Sequence, residues 1–113
     1  MNIVYEHDTD ILKGTVTLRH PTFDERWTML ETCGFKTDEN GDVSKGMEQA
    51  GAIRRMVAAS EKHYVECKIQ KKGTQTVLKS FGELSLDPEC DEVLIGAASK
   101  LLQSGRPSKN SKT

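Results

Sequence analysis

The chain has 113 residues, of which 35% are apolar and 29% charged, and its formal net charge is −1. That length suits one domain with a modest core, and the near-neutral balance gives no global pull toward nucleic acid or an acidic membrane. No apolar run reaches the roughly 20 residues of a membrane span, and the N-terminal stretch lacks a signal-peptide profile. Cys33, Cys67 and Cys90 are odd in number and widely spaced, which fits free thiols in a reducing compartment better than a disulfide framework. The expectation is a cytoplasmic protein.

In chain order, Ile3-Val4-Tyr5 and Thr15-Val16-Thr17-Leu18 are strand candidates, rich in β-branched residues and joined by turn chemistry between Asp8 and Gly14. His20-Pro21 breaks the second strand, and Thr22 with Glu25 forms a capping box. A helix is expected from Phe23 to Cys33, with Phe23, Trp27 and Leu30 at helical spacing and Gly34 as its stop. Lys36 to Lys45 carries no hydrophobic period and reads as a loop.

From Met47 to about Lys62, Ala50, Ile53, Met56, Val57 and Ser60 share one helical face. Tyr64 to Ile69 then alternates as a strand, Lys71-Lys72-Gly73-Thr74 is a hairpin turn, and Gln75 to Lys79 is the returning strand. Asp87-Pro88 opens the last helix. The aspartate caps, proline pre-sets φ, and Glu89, Asp91 and Glu92 favour the positive end of the dipole. Val93, Leu94, Ala97, Ala98, Leu101 and Leu102 form its apolar stripe, and Gly105 ends it. The predicted fold is therefore α+β: a small single domain over residues 1–105, two β-hairpins packed with about three α-helices, followed by a disordered basic tail over residues 106–113.

Chemistry is hard to find. Asp38-Glu39-Asn40-Gly41-Asp42 invites a calcium reading, but the position needing Gly holds Val43 and the position needing a bidentate Glu holds Gln49. His63 with Cys67, or His7 with His20, would need four ligands at close spacing to hold zinc, and no CxxC or HxxxH is present. No GxSxG and no phosphate-binding GK[ST] occurs. Lys68, Lys71, Lys72 and Lys79 put positive charge on one hairpin without the interleaved aromatics of a nucleic-acid reader. The expectation is no enzyme, no cofactor, no metal and no nucleic acid.

The order of elements carries a resemblance. The stretches GTVTLRHPTFDERWTML, MEQAGAIRRMVAAS, VECKIQKKGTQTVLKSFGEL and DPECDEVLIGAASKLLQSG, taken together, resemble the small tail assembly chaperones of long-tailed bacteriophages. In that family a strand is followed by P-[ST]-x-x-x-R, matched by Pro21, Thr22 and Arg26, and the last helix is of the D-x-x-x-x-x-V-L kind, matched by Asp87, Val93 and Leu94. The resemblance spans about residues 12–105 and its motifs are short. It implies a non-enzymatic protein of the host-cell cytoplasm that binds the long helical tape-measure protein, the tail-tube protein, or both, before the tail polymerises, and that associates with itself. A programmed −1 frameshift near the end of the reading frame is common in that family, and Ser108-Lys109-Asn110 permits a slippery codon run.

Such a holdase needs apolar surface that pairs repeatedly with amphipathic helices. Trp27, Met29, Phe35, Met47 and Met56 are the candidate partner contacts, the methionines because their side chains adapt to varied surfaces, and the stripe on the last helix is another. Two other readings stay open: a small phage-encoded inhibitor or adaptor that binds a host protein complex, and a weak nucleic-acid-binding module using the lysine hairpin.

Overall fold

The computed structural model describes residues 2–33 and 50–104. The chain first builds a hairpin, β1 (Asn2–Asp8) and β2 (Leu12–Arg19). Its tight turn is closed by the Thr9 N–H donating to the Leu12 carbonyl at 2.8 Å, while the Leu12 N–H donates to Thr9 Oγ1 at 3.2 Å. β3 (Tyr64–Lys71) pairs antiparallel with the other side of β2, and the two-residue β4 (Val77–Leu78) pairs with β3. The two expected hairpins are thus one continuous sheet of order β1-β2-β3-β4.

β4 is shorter than the expected Gln75 to Lys79 because the turn extends further. The Lys71 N–H donates to the Thr76 carbonyl at 3.0 Å, Thr74 N–H donates back to the Lys71 carbonyl at 3.1 Å, and Gly73 takes the positive φ of 81° between them. The Lys72 N–H reaches the Ile11 carbonyl at 2.9 Å, joining the two hairpin turns. A bulge between Thr17 and Leu18 in the β2–β3 register leaves Val65 unpaired and turned to solvent.

Period-two alternation divides the sheet into a core face and a wet face. Ile3, Leu12, Val16, Leu18, Cys67 and Ile69 are buried, while Asn2, Val4, Glu6, Lys13, Glu66 and Lys68 are exposed. The helices form the second layer: α4 (Asp91–Gln103) packs on β1 and β2, α2 (Ala50–Ser60) on α4, and α1 (Phe23–Cys33) on α2. All six residues of the α4 stripe are buried, so its apolar face makes the core. Met56, Leu30 and Leu84 complete it from α2, α1 and the short helix α3 (Phe81–Ser85).

α3 is an element the sequence reading passed over, although Ser80 and Glu83 stand at capping-box spacing. Ser80 Oγ accepts from the Glu83 N–H at 3.1 Å and the Glu83 carboxylate accepts from the Lys79 N–H at 2.6 Å. Asp87 caps as expected, accepting from the Glu89 N–H at 3.0 Å, but it opens a 3₁₀ turn (Pro88–Cys90) that leads into α4. The Lys36–Lys45 loop, the 47–49 start of the second helix, Gly34, Gly105 and the 106–113 tail lie outside the described residues.

Candidate protein-interaction surface

The sequence Pro21-Thr22-Phe23-Asp24-Glu25-Arg26-Trp27 makes the best-defined surface feature of the described residues. Pro21 is buried where β2 ends, and the chain turns straight into α1. The capping box forms in full: Thr22 Oγ1 accepts from the Glu25 N–H at 3.2 Å, and the Glu25 carboxylate accepts from the Thr22 N–H at 2.9 Å. The same carboxylate takes two bonds from the Arg19 guanidinium at the end of β2, at 3.0 and 2.9 Å. This fork bolts the first turn of α1 to the sheet. The Arg19 and Thr22 bonds hold the Glu25 carboxyl down at about 2.

That clamp fixes which side chains face outward. Phe23 and Trp27, one helical turn apart, are 66% and 37% exposed, with ring centroids 5.9 Å apart. Arg26 lies buried beside them, its guanidinium carbon 5.4 Å from the Trp27 ring centroid, a cation–π distance. Further along α1, Met29 and Leu30 enter the core. On the other face of α1, away from the two rings, runs an open groove of about 710 Å³ lined by Asp24, Glu25, Thr28 and Met29 and by Ala58, Ala59, Glu61 and Lys62 at the end of α2 and the turn after it. A smaller groove of about 430 Å³ separates Ile53 and Val57 of α2 from Leu94 and Ile95 of α4, with Arg54 and Asp91 at its rim.

The expected contact residues therefore divide. Trp27 stands at the surface. Met29 and Met56 are 4% and 0% exposed and fill the core, and only Met29 also lines the larger groove. Met56 shares the helical face of Ile53 and Val57, which is why core and contact readings look alike there in the sequence. Phe35 and Met47 lie outside the described residues. Phe23 joins Trp27, and its position as the first helical residue after the cap was the available signal: the first turn of a helix cannot bury every face.

Three of the four hairpin lysines are paired within the molecule. Lys71 bridges Asp87 and Glu89, Lys72 Nζ sits 2.9 Å from Asp8, and Lys68 lies 3.9 Å from Glu66. Lys71 thereby ties β3 to the 3₁₀ turn before α4, and its ammonium pKa is raised by the two carboxylates.

The histidines go to separate partners. His7 meets the Tyr5 hydroxyl at 2.9 Å, His20 the Pro21 carbonyl at 3.1 Å, and His63 the Arg19 carbonyl at 3.3 Å. No group of three or more His, Cys, Asp or Glu side chains among the described residues is arranged to hold a metal ion, and the calcium-like loop is outside them. Cys67 donates to the Leu78 carbonyl at 3.4 Å, and burial pushes its thiol up to about 11. Burial raises Cys90 also. Both are buried neutral thiols, the opposite of an activated nucleophile.

No protein-family model, curated protein or solved structure matches the chain. No helix among the described residues is long and apolar enough to cross a membrane.

Proposed function

We propose that this protein is a non-enzymatic tail assembly chaperone of a long-tailed bacteriophage, acting in the host-cell cytoplasm. It holds the helical tape-measure protein, the tail-tube protein, or both, until the tail polymerises. One observation supports this reading above the others. Pro21, Thr22 and Arg26, which match the first of the two motifs behind the resemblance, build the mount for Phe23 and Trp27: Pro21 is buried at the corner, Thr22 caps the helix and Arg26 lies against the indole.

An exposed aromatic pair suits a holdase. Aromatic rings supply much contact area at low conformational cost, and two rings one helical turn apart match the apolar stripe of an amphipathic helix without demanding one sequence. A partner held this way is released when stronger contacts in the growing tail compete.

The assignment is checked in the DNA that follows the coding sequence. The reading expects a slippery heptamer at Ser108 to Asn110, an overlapping frame, and next to it a very long reading frame of helical periodicity. Neighbouring genes without any tail component would overturn it and bring forward the inhibitor or adaptor of a host complex.

A further inference from the structure

His63 closes the 3₁₀ turn (Glu61–His63) that joins α2 to β3, and its side chain is fully buried. The ring is held at one end only. Nδ1 lies 3.3 Å from the Arg19 carbonyl oxygen, and Nε2 is buried without a hydrogen-bond partner among the described residues. A carbonyl oxygen only accepts, so Nδ1 carries the proton and Nε2 presents a bare lone pair to the interior. That arrangement suits a neutral imidazole.

The charged groups that face the ring belong to the α1 mount. From β2 it meets Arg19, from α1 Glu25, and on its own turn Lys62. Burial, Arg19 and Lys62 disfavour the imidazolium, and of the charged groups only Glu25 favours it. Arg19 touches His63 through its carbonyl and Glu25 through its guanidinium, which forks onto the carboxylate at 3.0 and 2.9 Å. Glu25 in turn accepts from the Thr22 N–H and holds the first turn of α1. One chain of contacts therefore runs from the α2–β3 junction, across the end of β2, to the helix that carries Phe23 and Trp27.

A proton added to Nε2 places a positive charge and an N–H donor where no acceptor stands, beside a guanidinium. Leaving that charge unpaired costs more than re-pairing it. The carboxylate that attracts it is Glu25, which stays ionised down to about 2 and so is available whenever His63 is charged. Imidazolium and guanidinium then compete for the same carboxylate.

We propose that His63 is an acid-released latch on the α1 mount: its protonation draws the Glu25 carboxylate from Arg19, and the first turn of α1, with Phe23 and Trp27, comes away from the end of β2. The latched state holds His63 neutral and the released state lets it titrate near 6.5, so the latch is complete above that pH and opens as pH falls below it. One proton is taken up, so the ratio of latched to released molecules falls by at most about tenfold per pH unit. The latch governs partner contact on the reading that Phe23 and Trp27 are the contact surface. Its test uses no partner, so the two can fail separately.

Trp27 is the only tryptophan in the chain, so its fluorescence reads the mount. In the intact protein, between about pH 8 and about pH 5, its emission should shift reversibly with far-ultraviolet circular dichroism unchanged. The midpoint should match the titration of the His63 ring followed by imidazole nitrogen NMR, which should also show the Nδ1–H tautomer at the alkaline end. His63→Gln should abolish the shift, and His20→Gln, which removes the histidine beside Pro21, should leave it. An emission shift that survives His63→Gln, one that coincides with loss of circular dichroism, or a His63 titration that leaves Trp27 unmoved would each overturn the latch. If His63→Gln does not fold, the two wild-type midpoints decide, and midpoints that do not coincide overturn it.

Discussion

Replacing Gly14 with alanine tests whether the sheet is packed as closely as its register implies. Gly14 lies in β2, between two other strands, opposite Ile69 of β3 and His7 of β1. A Cβ there would stand 1.8 Å from the Lys68 carbonyl oxygen, 2.8 Å from its carbon and 2.9 Å from the Ile69 Cα, all of them backbone atoms. Ordinary contact begins at 3.4 Å, so β3 would have to retreat by about 1.6 Å. A shift of that size breaks the neighbouring Thr15–Lys68 pair of the ladder. Two lost bonds at about 1 kcal/mol each, plus the desolvation of partners left buried, give a cost of about 3–5 kcal/mol. A domain of this size has about 5–15 kcal/mol in total. At 4–8 °C per kcal/mol, the melting temperature should fall by roughly 15–30 °C, read by circular dichroism or calorimetry. Gly73→Ala is the comparison: its φ of 81° is strained for alanine, but nothing lies within 4 Å, so about 1–2 kcal/mol is expected. A Gly14→Ala protein that melts within about 4 °C of wild type would refute the close approach.

Thr22→Ala removes the hydroxyl that caps α1 and should cost about 1 kcal/mol, or roughly 4–8 °C in melting temperature, with no change in far-ultraviolet helix content. Stability should depend on pH in two windows. Burial lowers the His63 pKa, so the folded state holds it neutral while the unfolded chain takes up a proton below about 6.5; stability is complete above that pH and declines as pH falls through it. Glu25 has the complementary behaviour, its contribution present above about 4.5 and lost as pH falls toward about 2, and denaturant melts across the pH range read both. Cys67 and Cys90 should resist a thiol reagent at pH 8 in the native protein and react promptly in denaturant, because each is both buried and protonated.

Much of the fold was legible because local signals agreed with one another. α1 starts at Phe23 as the capping box predicts, and the α4 stripe is buried residue for residue. The hairpins were legible one at a time, but their union was not: β2 pairs with β3 across the whole of α1, α2 and the segment between them, and no local pattern encodes so distant a partner. α3 escaped notice because five residues carry too little periodicity, although its cap was written in Ser80 and Glu83.

The surface was harder. Met56 and Trp27 both sit on apolar stripes, and only the packing of the helices decides that the methionine goes in while the indole stays partly out. The pairing of Lys71 and Lys72 is not legible in the hairpin itself, because Asp8, Asp87 and Glu89 are distant in the chain or belong to another element.

The central claim is that this chain holds a helical tail component through Phe23 and Trp27. The direct measurement is a calorimetric titration of the purified protein with tape-measure segments encoded beside it, repeated with Phe23→Ser/Trp27→Ser. Trp27 is 37% exposed and loses contacts with Phe23 and Arg26, so the double variant should melt lower than wild type but keep its far-ultraviolet circular dichroism at the titration temperature. The account predicts saturable binding by the wild type and at least a tenfold loss in the variant, about 1.4 kcal/mol. No heat with any segment, or equal affinity in the two proteins, would contradict it.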